Sequence, residues 1–586
     1  MRKIITNVIV VLFALWFFQS GVKPPKESDT DFQITAFAHL PVKYDGRKKP
    51  IDTFARNLLT ILSDKQSVRM EGGKKMSAAQ WLLDNISQRP DAFDHPVFRI
   101  ENMDLLSSLE LEERKGFRYS YNELTPKMLG IDGAVRAAYG KSEKQRDLYD
   151  KQVIKMASKY YLYQNVMSSF EDPSSVPSEQ LTIIAKRYIR MENQSLPLVV
   201  PPNAENPRWR PLMSSLLANH PAMQSMGHTG IPDPSAMDLG VILAAYRMGD
   251  VALFNETLQE YGTRLQTETP EVLEKLSFET FYNRLGAFMK SAILYLLVAI
   301  LSCFGWLARK RGPVSAALAL MICAFIPHTF AIVARCFLSG YPPVTNLYSS
   351  AIFIGWAAVL AGIILELVYR KAEGMGNLVG GIAGFATLLI AHFLAGDGDT
   401  MEQMRAVLDT RFWLATHVIT ITLGYMATFV AGTLGFFYIF SGLLTQRLDK
   451  QTAENMYRMM YGVTCFALLL SFVGTVLGGL WADDSWGRFW GWDPKENGAL
   501  LIVIWTAIML HARYGMMVKS RGFAVMAVAG NIVTAWSWFG VNQLSVGLHS
   551  YGFTSSATFW LLVFVASQLA IVFAGLLPLR IWRSGS

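Results

Sequence analysis

"FMKSAILYLLVAILSCFGWLARKRG" runs from Phe288 to Gly312. An unbroken apolar run ends in Arg309, Lys310 and Arg311. At 1.5 Å rise per residue, a helix of this length crosses the ~30 Å hydrocarbon core of a bilayer. A basic cluster at its end marks the cytoplasmic side. The stretch also divides the chain. Residues 21–285 read as soluble, with charged tracts such as "KSEKQRDLYDKQ" (141–152). Beyond it, further apolar runs lie near 314–335, 349–369, 377–394, 413–443, 461–481, 498–516, 523–541 and 557–578. A last run, Ile4–Phe18, follows the basic start "MRK". The bulky "WFFQSG" after it offers no small-x-small cleavage site, so it reads as a retained anchor. The sequence therefore predicts a mainly α, polytopic helical membrane protein of about ten spans. A large, mainly helical extracytoplasmic domain follows the first span. The expected divisions are an anchor at 1–20, a soluble domain at 21–285 and a membrane domain at 286–586.

Charge supports this topology. "ARKRG" (308–312), "YRKAEG" (369–374), "QRLDK" (446–450), "VKSRG" (518–522) and "RIWRSGS" (580–586) fall on alternate connections. With "MRK" they share one side. The other side receives the soluble domain, "SGYPPVTN" (339–346), "AGDGDTMEQMRAVLDTRF" (395–412), "WGRFWGWDPKE" (486–496) and "NQLSVGLHSYGFTSS" (542–556). The net charge of +8 is thus a matter of topology, and nucleic acid is excluded as a partner. Four cysteines, none in a CxxC, exclude disulfide, thiol-redox and zinc chemistry.

In the soluble domain, "VLEKLSFETFYNRLGAFM" (272–289) and "TIIAKRYIRM" (182–191) have helical apolar spacing. "SLPLVVPP" (195–202) and "GIPDPS" (230–235) mark turns. "HLPVKYDGRKKPIDTFARN" (39–57) reads as a basic, loop-like lead into a helix, a solvated turn or a docking point. His39, His95, His220 and His228 are scattered and form no catalytic constellation.

The chemistry lies in the membrane domain. His328, His392, His417, His511 and His549 sit in or beside apolar runs, where ionisable residues are costly and usually functional. His417 and His549 fall on the outer side and bracket the tryptophan segment in sequence. Paired neutral imidazoles are axial ligands for haem iron, and an aromatic shelf suits a porphyrin face. Trp486 and Trp490 are four residues apart and would share a face if the stretch were helical. Gly487 and Gly491 would admit a flat ligand to the backbone. Asp493 and Glu496 are candidates to fix the loop, pair with an arginine or manage protons.

These residues resemble the CcsA/ResC family of cytochrome c biogenesis proteins, haem-handling proteins with a tryptophan-rich "WWD" segment, here residues 481–497. "FWLATHVITITLGY", "LHARY", "GVNQLSVGLHSYG" and "RCFLSGYPPVTNLY" follow the family's order, and the likeness covers roughly 315–580. The resemblance implies a holocytochrome c synthase (haem lyase) that binds and exports haem b. It implies presentation at Trp486, Trp490, Trp492, Asp493 and Glu496, and thioether ligation to an apocytochrome CxxCH. His417 and His549 match its external ligands, and His511 matches one intramembrane ligand. His328 is the candidate for the other, although its depth along its span differs from that of His511. Arg335, Arg405, Arg411 and Arg488 are candidates to meet the haem propionates. The implied partners are a ResB/CcsB-type membrane protein, apocytochrome c and a thiol-reducing system, in a bacterial cytoplasmic membrane. Two departures stand out. Ser349 follows Tyr348 where the family often has an acid, and residues 21–285 lack the several spans of a fused partner. They read as a lineage-specific module. The rival readings are a b-type electron-transfer subunit and a haem transporter serving a separate synthase.

Overall fold

The structure, a computed structural model, describes residues 2–584 except 24–26, 29, 71–72, 74, 172–195, 204–206, 218–232, 370–373, 405–408 and 545–554. His220, His228, Arg405, His549 and "TIIAKRYIRM" lie outside the described residues. The chain forms two compact units. One comprises 1–20, 286–395 and 404–586; the other comprises 21–285 and 396–403. The short segment 396–403, between two apolar helices, is thus a part of the second unit that sequence left with the membrane domain.

The first helix is α1 (Arg2–Val22). In the second unit, β1 (Pro41–Tyr44) pairs antiparallel with β2 (Arg47–Pro50) across Asp45-Gly46. Both turn residues have positive φ, 51° and 78°, as a two-residue hairpin of this twist requires. The helix α2 (Ile51–Ser63) follows directly and buries Leu58, Leu59 and Leu62. Residues 39–57 are therefore mostly a hairpin and helix, not a loop; the Asp-Gly pair was the missed signal. Then come β3 (Ser67–Arg69) with β4 (Lys75–Ser77), α3 (Ala78–Ile86), and β5 (Phe98–Arg99) with β6 (Arg118–Tyr119). The helices α4 (Tyr121–Gly140) and α5 (Leu148–Ser169) each open on a capping box, Ser120/Glu123 and Asp147/Asp150. These boxes satisfy backbone donors that a helix start leaves unpaired. α6 (Pro234–Met248), α7 (Val251–Glu268) and α8 (Pro270–Leu285) complete the unit. Trp81, Phe98, Tyr163, Phe254 and Tyr261 fill its core. His95 is buried against Asp84 as a packed side chain.

The β1–β2 hairpin holds the segment 396–403 by charge. Asp399 accepts from Lys49 Nζ at 2.6 Å and from Arg47 Nη2 at 2.9 Å. Arg47 Nη1 donates to Glu279 Oε2 at 2.7 Å, and Thr53 Oγ1 to Glu279 Oε1 at 2.8 Å. Two cations thus face two carboxylates with little solvent. Burial by itself would raise the Asp399 carboxyl, but Arg47 and Lys49 hold it well below the usual carboxylate range. Gly46 admits the Gln403 side chain, which occupies the place of a Cβ. The basic run 47–49 is therefore the receptor for a distant stretch of this same chain.

In the first unit, nine helices among the described residues are long and apolar enough to cross a membrane. α1 contributes a shorter apolar run, Val10–Gln19. The long helices are α9 (Ala287–Ala308), α10 (Arg311–Ser339), α11 (Leu347–Val368), α12 (Met375–Leu394), α13 (Ile419–Leu444), α14 (Lys450–Trp486), α15 (Pro494–Tyr514), α16 (Ser520–Trp538) and α17 (Ser555–Leu576). α9 packs on α10 and α12, and α11 on α12; α13 packs on α14 and α16. Close approach comes from small residues, as membrane helices need without a hydrophobic drive between them. A Cβ on Gly362 would lie 2.5 Å from the Gly376 carbonyl oxygen. At the start of α12, Glu366 accepts from Gly376 N at 3.1 Å, supplying an acceptor to an orphaned helix donor.

Candidate functional site

The turn before α13 carries His417. Leu414–Val418 form a π turn, a rare geometry that recurs at functional sites. His417 Nδ1 lies 2.8 Å from the Gly474 carbonyl oxygen on α14. A carbonyl only accepts, so Nδ1 carries the proton, and the neutral ring has its lone pair on Nε2. The ring fits because α14 lacks side chains beneath it. A Cβ on Gly478 would lie 2.6 Å from His417 Cε1. "GTVLG" (474–478), with glycines four apart on one helix face, was the available signal that sequence reading missed. Trp481, one turn further, meets the imidazole edge-on at 5.8 Å. Its indole N–H is buried without an acceptor among the described residues.

The tryptophan segment does not continue the helix. α14 stops at Trp486 because Gly487 takes a left-handed conformation, φ 68°, and donates to Asp483 O at 2.9 Å. Trp486 and Trp490 therefore do not share a helical face, contrary to expectation. Instead Trp490 meets Trp492 edge-to-face at 6.1 Å. Trp492 itself has φ +57°, an uncommon state for a bulky residue, and is 72 % exposed. Phe489 packs over Gly479, where a Cβ would lie 2.6 Å from its ring. Arg488 lies over Gly491, taking the space where a flat ligand was expected to approach that glycine. Phe412, Trp486 and Phe489 are also exposed, so this end of the bundle presents a broad aromatic surface beside His417.

The acids serve the turn. Asp493 is the N-cap of α15, with Pro494 at the first helical position. It accepts from Lys495 N at 2.9 Å. Glu496 closes the capping box at Asp493 N (3.1 Å) and also accepts from Gly491 N (2.8 Å). Lys495 reaches to Trp538 O at 2.9 Å, a cation on the C-terminal carbonyls of α16. Ser349 plays a like part at α11, where Thr345 N and Asn346 N each donate to its Oγ at 2.9 Å. A helix-start position suits an acid equally well, so serine keeps the cap without the charge. Nearby, Tyr341 donates to Asp409 at 3.2 Å, and burial with that bond raises its pKa. Arg335 is buried, with its guanidinium over the Tyr348 ring at 4.8 Å.

The intramembrane histidines are not brought together. His328 is fully buried, with Nδ1 3.1 Å from the Tyr295 hydroxyl and Phe288 against its ring. His511 is exposed on α15, its Nδ1 donating to Ala507 O at 2.9 Å. Their helices pack on different neighbours, and no hydrogen bond or ring contact joins the two among the described residues. His392 is exposed at the end of α12 beside Phe393.

A bundle of apolar helices with a half-buried histidine beside an aromatic turn defines a class, the polytopic α-helical membrane proteins. The family described as Cytochrome C assembly protein matches residues 344–549, which include His417, His511 and the tryptophan segment but not His328. The chain is 30% identical over 296 residues to cytochrome c biogenesis protein CcsA of Synechococcus sp. (strain CC9902), covering 45% of this chain and 94% of that protein. CcsA of Parasynechococcus marenigrum (strain WH8102) is 29% identical over 295 residues, 44% of this chain and 94% of that protein. Protein NrfI of Wolinella succinogenes is 28% identical over 531 residues. That match covers 86% of this chain, while the chain spans about half (53%) of NrfI. The chain belongs to the CcsA/ResC family of cytochrome c biogenesis proteins. The NrfI match is too long to be confined to the membrane helices. Much of the 21–285 unit is thus shared with a relative.

Proposed function

We propose that this chain holds haem b at the aromatic end of its bundle, with His417 Nε2 as an axial ligand. It presents the haem for thioether bonding to the cysteines of an apocytochrome CxxCH. The carrying observation is the fixed tautomer of His417 beside exposed tryptophans. A ligating imidazole needs one lone-pair nitrogen, and gains affinity when the other is held by a carbonyl. The Trp481 N–H supplies a donor suited to a propionate, and the aromatic surface suits the porphyrin. His549, the second implied ligand, lies outside the described residues. In the reaction each thiol adds across a haem vinyl group. Sulfur bonds one carbon, the thiol proton goes to the other, and no net electron is transferred. The protein's contribution is position and shielding from water. His511, with its own fixed tautomer on an exposed helix face, is the ligand offered to an earlier intramembrane site.

The basic clusters support placing the aromatic end and residues 21–285 on the extracytoplasmic side of a bacterial cytoplasmic membrane. A ResB/CcsB-type protein, apocytochrome c and a thiol-reducing system are the proposed partners. The purified full chain is expected to show a reducible haem spectrum that His417→Ala loses and added imidazole restores. Absence of haem from the wild-type protein would overturn the reading. Reconstitution with haem and apocytochrome alone separates a synthase from a carrier.

A further inference from the structure

A polar cavity lies in the 21–285 unit, with no histidine in its lining. It encloses about 250 Å³ between the end of β5, the following loop and α5. Asp64, Arg99, Glu101, Lys155 and Lys159 line it. The two acids are already committed. Arg99 donates to Asp64 at 2.8 Å and also pairs with Glu101. The two lysines are not so matched. Lys159 is only 5 % exposed, yet its ammonium meets no carboxylate among the described residues; its hydrogen bond is to the Leu62 carbonyl at 3.0 Å. Lys155 lies one turn away on the same helix face, a like-charge pair that destabilises a helix. Arg118, close by, has carbonyl partners, Ser63 O at 2.6 Å and Gly116 O at 3.0 Å. Its Nε is buried with no acceptor among the described residues.

A buried ammonium with no carboxylate in contact is among the costlier arrangements a protein keeps, even with Asp64 and Glu101 across the cavity. Here burial first, and Lys155 next, push the Lys159 amine down to about 8. An oxyanion in the cavity would relieve both effects and accept the spare N–H donors of Lys159. We propose that this cavity is an anion site for a small phosphate- or carboxylate-type group. Lys159 contacts the anion from the floor, Lys155 from the rim, and Arg99 completes the positive wall. Two sources share that chemistry, a free oxyanion and the C-terminal carboxylate of a polypeptide.

The test is titration calorimetry on the full-length detergent-purified protein. Ligands are inorganic phosphate, succinate, and a short peptide as free acid and as amide. One site per chain is expected. Lys155→Gln, an exposed change that leaves the fold intact, should weaken binding on the order of tenfold, as loss of one charge-assisted contact does. Lys159→Met should abolish it. Binding of phosphate or succinate assigns a free ion. Binding of the peptide acid but not the amide assigns a chain terminus. No binding of any ligand at about 10 mM, or binding unchanged in both variants, overturns the proposal.

Discussion

Gly478→Ala isolates the seat of His417. The added Cβ would lie 2.6 Å from Cε1 and 3.0 Å from Nδ1. Ordinary contacts are about 3.5–4.0 Å, so the ring must shift by about 1 Å. That shift breaks or bends the 2.8 Å bond from Nδ1 to Gly474 O. Disturbing such a support costs roughly 10–100-fold in affinity, or about 1.4–2.7 kcal/mol. Helix stability moves the other way, because alanine is favoured over glycine in a helix interior by about 0.8–1 kcal/mol. The variant should therefore lose bound haem while its unfolding is unchanged or slightly delayed. Gly462→Ala is the control, since a Cβ there, on the same helix, meets nothing within 4 Å. The assay is Soret absorbance per mole of purified protein, paired with a thermal melt. Full haem occupancy in Gly478→Ala, or equal loss in Gly462→Ala, would refute the reasoning.

Other outcomes follow from the same contacts. Asp493→Asn should keep haem and cytochrome c yield close to wild type, because asparagine caps helices as well as aspartate; Asp493→Ala should cost about 0.5–2 kcal/mol in stability. Loss of product in Asp493→Asn with haem retained would show that the carboxylate takes part in chemistry. His328→Leu should leave the haem spectrum intact, since that ring is sealed in the bundle, whereas His511→Ala should change it; the reverse pattern would reinstate His328 as the ligand. Asp399→Asn should destabilise the 21–285 unit by about 3–5 kcal/mol at neutral pH, because Arg47 keeps Glu279 but the buried Lys49 loses its carboxylate. The Asp399 pKa is lowered by folding, so its contribution is complete above the unfolded value near 4 and fades as pH falls toward the folded one. Melting curves of wild type and variant should converge only below about pH 4, and convergence between pH 8 and 6 would count against the ion cluster.

The spans were legible because hydropathy is a local property, summed over each helix. The cap at Asp493 was legible in part, since Asp-Pro-x-Glu is a helix-start pattern. What escaped were contacts between distant residues. Nothing near His417 in sequence indicates that its partner is a backbone carbonyl on the next helix, or that a missing side chain at Gly478 makes its seat. The role of Asp399 was hidden in the same way, because its partners lie more than three hundred residues earlier. The expectation that Trp486 and Trp490 share a face failed at one position, Gly487, whose left-handed backbone ends the helix before the second ring.

That single turn also reassigns the labour within "WGRFWGWDPKE". Buried or half-buried carboxylates near a bilayer are costly unless their oxygens are used. Here they are used on the backbone. Glu496 holds Gly491 and Asp493 N–H groups, and Asp493 starts α15. With those donors satisfied, the strained backbone at Trp492 can be held, and its ring is left facing outward beside Trp490. The acids act through the tryptophans, fixing where the rings stand, while the proposed iron ligand, His417, stands on a different helix. Substituting the acids should therefore move the aromatic surface before it touches ligation, and substituting the histidine should do the opposite.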